Sequence, residues 1–207
     1  MDHSEKVLVM RIFITILILI FSFQSLTKAE DISDFEIEGI SIGDSLLDFF
    51  SQEEIENIFK EKYAVNYYPK SKDFFTLATI EVKSNTYSQI NFDLKTGDGK
   101  FIIYSLDGFN QISYQECFKK RKEISSKIEN LFIKEDYIIE PYKIKHRGDE
   151  TGKSIVDGIN YILNDGSAIT IACYDFGKEM ENKNYSDNIS VNVSSSEFFY
   201  WIRNKAY

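Results

Sequence analysis

The apolar residues of one stretch, Ser113 to Lys134, recur with the spacing of an α-helix. They follow one another at intervals of seven, four and three residues along one face: Cys117, Ile124, Ile128 and Leu131. At the start of the stretch, Ser113 and Glu116 have the spacing of a capping box. The pattern therefore predicts one long amphipathic helix with a single apolar face.

Alternating apolar and polar residues predict strands on both sides of this helix. Before it, strands are predicted over 74–82, 90–94 and 101–106, and Asp107-Gly108 is expected to end the third. After it, strands are predicted over 142–146, 155–163, 168–174 and 189–193. Helices are expected over 46–50 and 52–60, and a last one after Ser194.

These elements predict an α+β fold with a long helix packed on one face of an antiparallel sheet or sheets. The predicted order is ααβββ-αβββ(β)α. No residue-level repeat decides whether residues 30–207 form one compact unit or two similar modules that meet near residues 107–113.

The first 29 residues have the pattern of a signal peptide. A twelve-residue apolar run, Ile12 to Phe23, follows Arg11, and Ala29 suits a signal peptidase. The run is short for a membrane span, which needs about 20 residues, although an uncleaved anchor is the alternative. Translation is expected to start at Met1 or Met10. We expect a periplasmic or secreted protein with no stable membrane span after cleavage.

The charge of the chain argues against polyanionic partners. Its 33 acidic and 24 basic residues give a formal net charge of −9, and such a field repels nucleic acid. The exceptions are lysines of the long helix, Lys119, Lys120 and Lys122. Together with aromatic residues before the first strand they form a candidate interaction surface: Tyr63, Tyr67 and Tyr68. The alternatives are a solvated helix surface for the lysines and core edge for the tyrosines.

Cys117 and Cys173 are the only two cysteines. Exported compartments oxidise thiols, and each cysteine lies on the predicted apolar side of its element. We expect them to form a disulfide with Cα atoms ~4.4–6.8 Å apart. Two buried free thiols and a redox pair are the alternatives.

The motifs of common enzymes are missing or incomplete. Gly148 to Ser154 has three residues between its glycines, whereas a phosphate loop has four and leads into a helix. His146 is the only histidine after the signal segment, so a multi-histidine metal site is excluded. The Gly-x-Ser-x-Gly letters occur once, from Gly39 to Gly43, and we do not assign them to a nucleophile elbow. We therefore predict no catalytic residues, metal or cofactor, while a carboxylate pair of the glycosidase type remains open.

The chain resembles an uncharacterised family of small exported proteins from AT-rich marine bacteria. The resemblance is carried by Asp34 to Asp48, by Glu116-Cys117 before the lysine-rich helix, and by Thr151 to Ser154. It implies export and a single fold. Over Gly39 to Leu106 the chain is also similar to the ααβββ modules of outer-membrane-assembly lipoproteins and β-lactamase inhibitor proteins, but it lacks the lipid-anchor cysteine.

Two functions are compatible with these features. The first is an exported, non-catalytic protein that binds another envelope protein or a surface ligand. The alternative is a carboxylate-based hydrolase that acts on envelope glycans. Two acids facing each other in a cleft would favour the hydrolase.

Overall fold

A computed structural model describes residues 31–61, 64–80 and 86–207. Its strands form one antiparallel sheet of eight, in the order β1-β2-β3-β4-β8-β7-β6-β5. The strands are β1 (Val65–Tyr67), β2 (Phe74–Ile80), β3 (Gln89–Lys95), β4 (Ile103–Gln111), β5 (Tyr137–Lys145), β6 (Ile155–Leu163), β7 (Ala168–Asp175) and β8 (Asn188–Ser194). The last strand of the chain thus lies between β4 and β7. The predicted signal segment lies outside the described residues.

The helices of the described ranges are α1 (Gln52–Lys60), α2 (Tyr114–Leu131), α3 (Lys178–Glu181) and α4 (Ser196–Asn204). Serine hydroxyls cap three of them by accepting from a backbone amide in the first turn: Ser51, Ser113 and Ser195. These caps satisfy amides that have no partner within the helix. The starts of α1 and α2 match the capping signals in the sequence.

The two faces of the sheet differ in chemistry because apolar and polar residues alternate along its strands. In β8, Ile189, Val191 and Val193 belong to the main apolar cluster, which also contains Ile128 of α2. The intervening residues of β8 are polar, and they line a cavity: Ser190, Asn192 and Ser194. The sheet therefore has one apolar face and one polar face.

The predicted disulfide is confirmed. Cys117 of α2 is bonded to Cys173 of β7, and their Cα atoms are 5.8 Å apart. Both cysteines are fully buried in the main apolar cluster. The bond therefore links α2 covalently to β7.

The prediction that Asp107-Gly108 ends a strand is wrong. Both residues lie inside β4, which continues to Gln111. Gly108 has no side chain to hinder the ring of Tyr87, whose Cδ1 would lie 2.6 Å from an added Cβ atom. Glycine thus marks a close approach of a side chain to the sheet here, rather than a turn.

Other differences concern short or edge elements. Val65–Tyr67 forms an edge strand and Lys178–Glu181 forms a short helix, in two segments that were not assigned to a strand or a helix. Leu46–Asp48 is a single 3-10 turn instead of a helix. β5 begins at Tyr137, five residues before its predicted start. Within the described ranges, no helix combines the length and apolar character needed to cross a membrane.

Candidate functional site

A cavity of about 510 Å³ lies on the polar face of the sheet. This volume is within the range of small-molecule sites, ~300–1,000 Å³. Its floor is formed by strands β2 to β8, and residues of α4 and the last residue, Tyr207, contribute to its wall. The cavity therefore lies between the centre of the sheet and the end of the chain.

A row of polar side chains crosses the floor from strand to strand. Its six members are successive cross-strand partners on β3, β4, β8, β7, β6 and β5: Asn91, Asp107, Asn192, Thr170, Asn160 and Glu140. All six line the cavity. Because partners in a sheet lie side by side, six separate strand positions become one continuous polar strip, here called the polar row.

Hydrogen bonds fix the orientation of most of the polar row. Thr170 donates to Asn160 Oδ1 at 2.9 Å, and Asn160 Nδ2 donates to Glu140 at 3.2 Å. Asn192 Nδ2 donates to Ser105 Oγ at 2.8 Å. The polar row is thus positioned by the protein itself, as a binding site needs.

The neighbouring row of cross-strand partners contains small residues at its centre. It runs through Phe109, Ser190, Ala172, Gly158 and Tyr142. Tyr142 extends over Gly158, where its ring would overlap with an added Cβ atom. Small side chains in the middle and aromatic ones at both ends make the floor concave.

Besides Glu140, two further carboxyl groups line this floor, those of Asp93 and Asp107. Burial raises the pKa of Asp93 to about 6, against the effect of hydrogen bonds from Thr76 and Tyr68. Burial also raises the pKa of Asp107 to about 7; a hydrogen bond from Ser190 opposes the rise and the charge of Asp93 adds to it. Both acids therefore titrate close to neutral pH.

The charge of Asp107 affects two tyrosines that line the cavity, Tyr142 and Tyr174. Burial raises the pKa of Tyr142 to about 12, and the negative charge of Asp107 contributes to the rise. The pKa of Tyr174 is raised by the same two effects, again with burial first. Both hydroxyls therefore stay protonated at neutral pH and can donate or accept a hydrogen bond.

Arginines lie at the opening of the cavity. Arg203 donates two hydrogen bonds to Glu140, at 2.7 and 2.9 Å, and both partners are partly exposed. The guanidinium of Arg147 lies 4.3 Å from the ring centre of Tyr207. Arg147 is exposed to solvent.

The structure separates the residues of the predicted interaction surface. Tyr63 lies outside the described residues. The ring of Tyr67 contacts Phe75, whereas Tyr68 lines the cavity, contacts Trp201 and donates to Asp93 at 2.9 Å. The lysines are exposed on α2: Lys119, Lys120 and Lys122.

The loop from 148 to 154 is organised by its own aspartate. The Asp149 carboxylate accepts from the hydroxyls and backbone amides of Thr151 and Ser154. These bonds hold its pKa well below the usual range. The loop joins two antiparallel strands, so it is a hairpin connection and not a phosphate loop.

His146 has aromatic surroundings. Its ring centre is 5.1 Å from that of Phe176 and 6.0 Å from that of Tyr174, and its Nδ1 accepts from Gly148. Burial lowers its pKa. Among the residues that the structure describes, no group of three or more His, Cys, Asp or Glu side chains is placed to hold a metal ion.

Sequence reasoning missed the acids of the cavity. Asp93 was not singled out, and Asp107 was expected to end a strand. A signal was present in the alternation itself, since Asn91 and Asp93 share one face of β3, but the partner strands were needed to recognise the polar row.

No protein-family model, curated protein or solved structure matches the chain. A function must therefore be inferred from the chemistry of the site.

Proposed function

We propose that this is an exported, non-catalytic protein that binds a small polar ligand in the cavity on the polar face of its sheet. The observation that carries the proposal is the polar row on a concave floor. The long helix covers the apolar face in this proposal, so the opposite face is left for the ligand. The disulfide supports an oxidising compartment, either the periplasm or the exterior.

The polar row would be unfavourable on a sheet face that protein encloses. A sheet face enclosed by protein is usually apolar, because a buried polar group without a partner costs ~1–3 kcal/mol. Here Asp107, Asn192 and their neighbours line an open cavity that admits water or a ligand. A concave site with a few convergent polar groups is typical of small-molecule binding.

Native mass spectrometry of the protein purified from the envelope or the medium tests this proposal. We expect a bound small molecule that is released on denaturation. The substitution Ala172→Phe fills the centre of the floor, because Ala172 is almost fully buried there. It should abolish the bound mass, whereas Ala172→Ser, which leaves the cavity open, should retain it.

Two results contradict the proposal. The first is a wild-type protein that carries no ligand and is not stabilised by any member of a metabolite library. The second is a ligand that remains bound to the folded Ala172→Phe variant, because the ligand then lies elsewhere. If a variant with a filled cavity still captures a protein partner, this result would favour the hypothesis that the protein binds another envelope protein.

Asp93 and Asp107 favour one second candidate, a hydrolase acting on envelope glycans. Asp93 lies two residues from Asn91, the cross-strand partner of Asp107, so the acids are diagonal neighbours. Diagonal neighbours have Cα atoms ~7–8 Å apart, and inverting glycosidases separate their carboxyl groups by ~6.5–9.5 Å. A pKa near neutrality suits a general acid.

Release of reducing ends from envelope glycans measures this activity. The variant Asp107→Asn should abolish it, while Glu123→Gln, which removes a charge from the exposed surface of α2, should not. Absence of released reducing ends with the wild-type protein would exclude the hydrolase for the glycans tested.

A further inference from the structure

We propose that the ligand of the cavity is a small organic ammonium compound whose positive charge lies against the carboxylate of Asp107. This inference rests on the proposed function, in which the cavity is the binding site, and it adds the chemical class of the ligand.

The first observation is an imbalance of charge at the floor. Neither Asp93 nor Asp107 forms an ion pair with any described residue. Oδ1 of Asp93 accepts from both Tyr68 and Thr76. Among the described residues, Asp107 accepts a hydrogen bond from Ser190 alone, so it retains acceptor capacity toward the cavity that it lines.

This imbalance of charge has an energetic consequence. An enclosed carboxylate without a positive partner is unfavourable, and a second carboxylate nearby makes it more so. The raised pKa of Asp107 reflects both effects. An ammonium group removes the imbalance. A neutral sugar leaves it in place, and an anion increases it.

A further observation concerns two tyrosines that line the cavity with Asp107. Tyr142 and Tyr174 line the cavity, and the charge of Asp107 affects the pKa of both. Aromatic rings attract cations through the negative potential of their faces, and ammonium groups are recognised in this way. Because the tyrosines stay neutral, the carboxylates supply the charge and the rings supply the surrounding surface.

The arginines at the opening do not neutralise the floor. Arg203 is paired with Glu140, and Arg147 is exposed above the ring of Tyr207. Water and salt screen an exposed charge far more than an enclosed one. The negative charge of Asp107 therefore remains uncompensated within the cavity.

Calorimetric titration at pH 8 with two molecules of the same shape tests the inference. The probes are choline and 3,3-dimethylbutan-1-ol, in which a neutral carbon replaces the ammonium nitrogen. We expect choline to bind at least ~10-fold more tightly than its neutral counterpart. Glucose serves as a polyhydroxylated neutral probe.

Two pairs of variants locate the interaction. Asp107→Asn should reduce the affinity for choline to that of the neutral probe, and Glu123→Gln should leave it unchanged. Tyr142→Leu should weaken choline binding, while Tyr200→Leu, a substitution of an exposed tyrosine on α4, should not.

The possible results separate this inference from the proposed function. If glucose or the neutral probe binds as well as choline and Ala172→Phe abolishes the binding, the ligand class is wrong and the cavity remains the site. If choline binds equally well to Asp107→Asn, the assigned carboxylate is wrong and the inference fails. If no probe binds, the ammonium class is overturned, and native mass spectrometry decides the proposed function independently.

Discussion

The substitution Asp107→Asn should stabilise the protein at alkaline pH. In the wild-type protein an enclosed carboxylate has no cationic partner among the described residues. Asparagine has nearly the same shape, and its carbonyl oxygen can still accept from Ser190, which donates to Asp107 at 2.6 Å. The change therefore removes the charge and preserves the contact.

The magnitude follows from the pKa of Asp107, which burial raises from 3.8 to about 7. At 1.36 kcal/mol per pH unit, this difference means that the ionised group costs the fold on the order of 4 kcal/mol above pH 7. Asparagine must still bury a polar amide, so we expect a net gain of about 2 kcal/mol.

The effect should have a defined pH dependence. The folded state binds the proton more tightly than the unfolded state, so the contribution of Asp107 to stability falls as pH rises from about 4 to about 7. Below pH 4 the carboxyl is protonated in both states and its cost disappears. The advantage of Asp107→Asn should thus be full at pH 8, disappear between about pH 5 and 6, and become a deficit of about 2 kcal/mol near pH 4, where only the cost of the buried amide remains.

Urea denaturation of both proteins between pH 4 and 8.5 measures the difference directly. The variant Glu123→Gln controls for the change in net charge. A variant that is no more stable than the wild-type protein at pH 8, or an advantage that does not change with pH, would refute the reasoning. Ligand-free protein is needed, because a bound cation would stabilise the aspartate.

Three further predictions can be measured with standard methods. Reduction of the Cys117–Cys173 bond should lower the free energy of unfolding by ~2–5 kcal/mol, and a reductant should have no effect on a double Cys→Ala variant. Asp149→Asn should lower the melting temperature at pH 7 and speed amide exchange in the loop from 148 to 154, with Glu150→Gln as the control. The depressed pKa of the Asp149 carboxyl means that its charge stabilises the fold above pH 4, and this benefit is lost in acid. Sequencing of the exported protein should find Glu30 or a near neighbour at the N-terminus, and an intact segment would contradict cleavage.

The apolar framework of this fold can be predicted from local sequence. Hairpin strands β6 and β7 were placed within one residue, because apolar residues flank a strong turn signal. The bond between Cys117 and Cys173 followed from the apolar side that each cysteine shares with its neighbours. The spacing of apolar residues is a property of a single segment, so the buried side of a strand or helix could be predicted from that segment alone.

The candidate site depends on pairing between distant strands, and this limited its prediction. Asp107-Gly108 has the composition of a turn, yet the contact of Gly108 with Tyr87 and the position of Asp107 in the polar row keep it within β4. Short polar residues on one strand face look like solvent-exposed positions. Only the register of six strands shows that they form one strip. Local rules often fail at functional sites for this reason.

The position of β8 between β4 and β7 affects how the molecule folds. Strands β1 to β4 pair with their neighbours in sequence, as do β5 to β7, so each half can form early from local contacts. Among the described strands, the two halves of the sheet are paired only through β8, whose Ser190 donates to Asp107 across a separation of 83 residues. Pairing over such distances raises the contact order and slows folding. Until residues 188–194 are in place, β4 and β7 are open edges that favour aggregation, and the two sides of the cavity floor are not yet in contact.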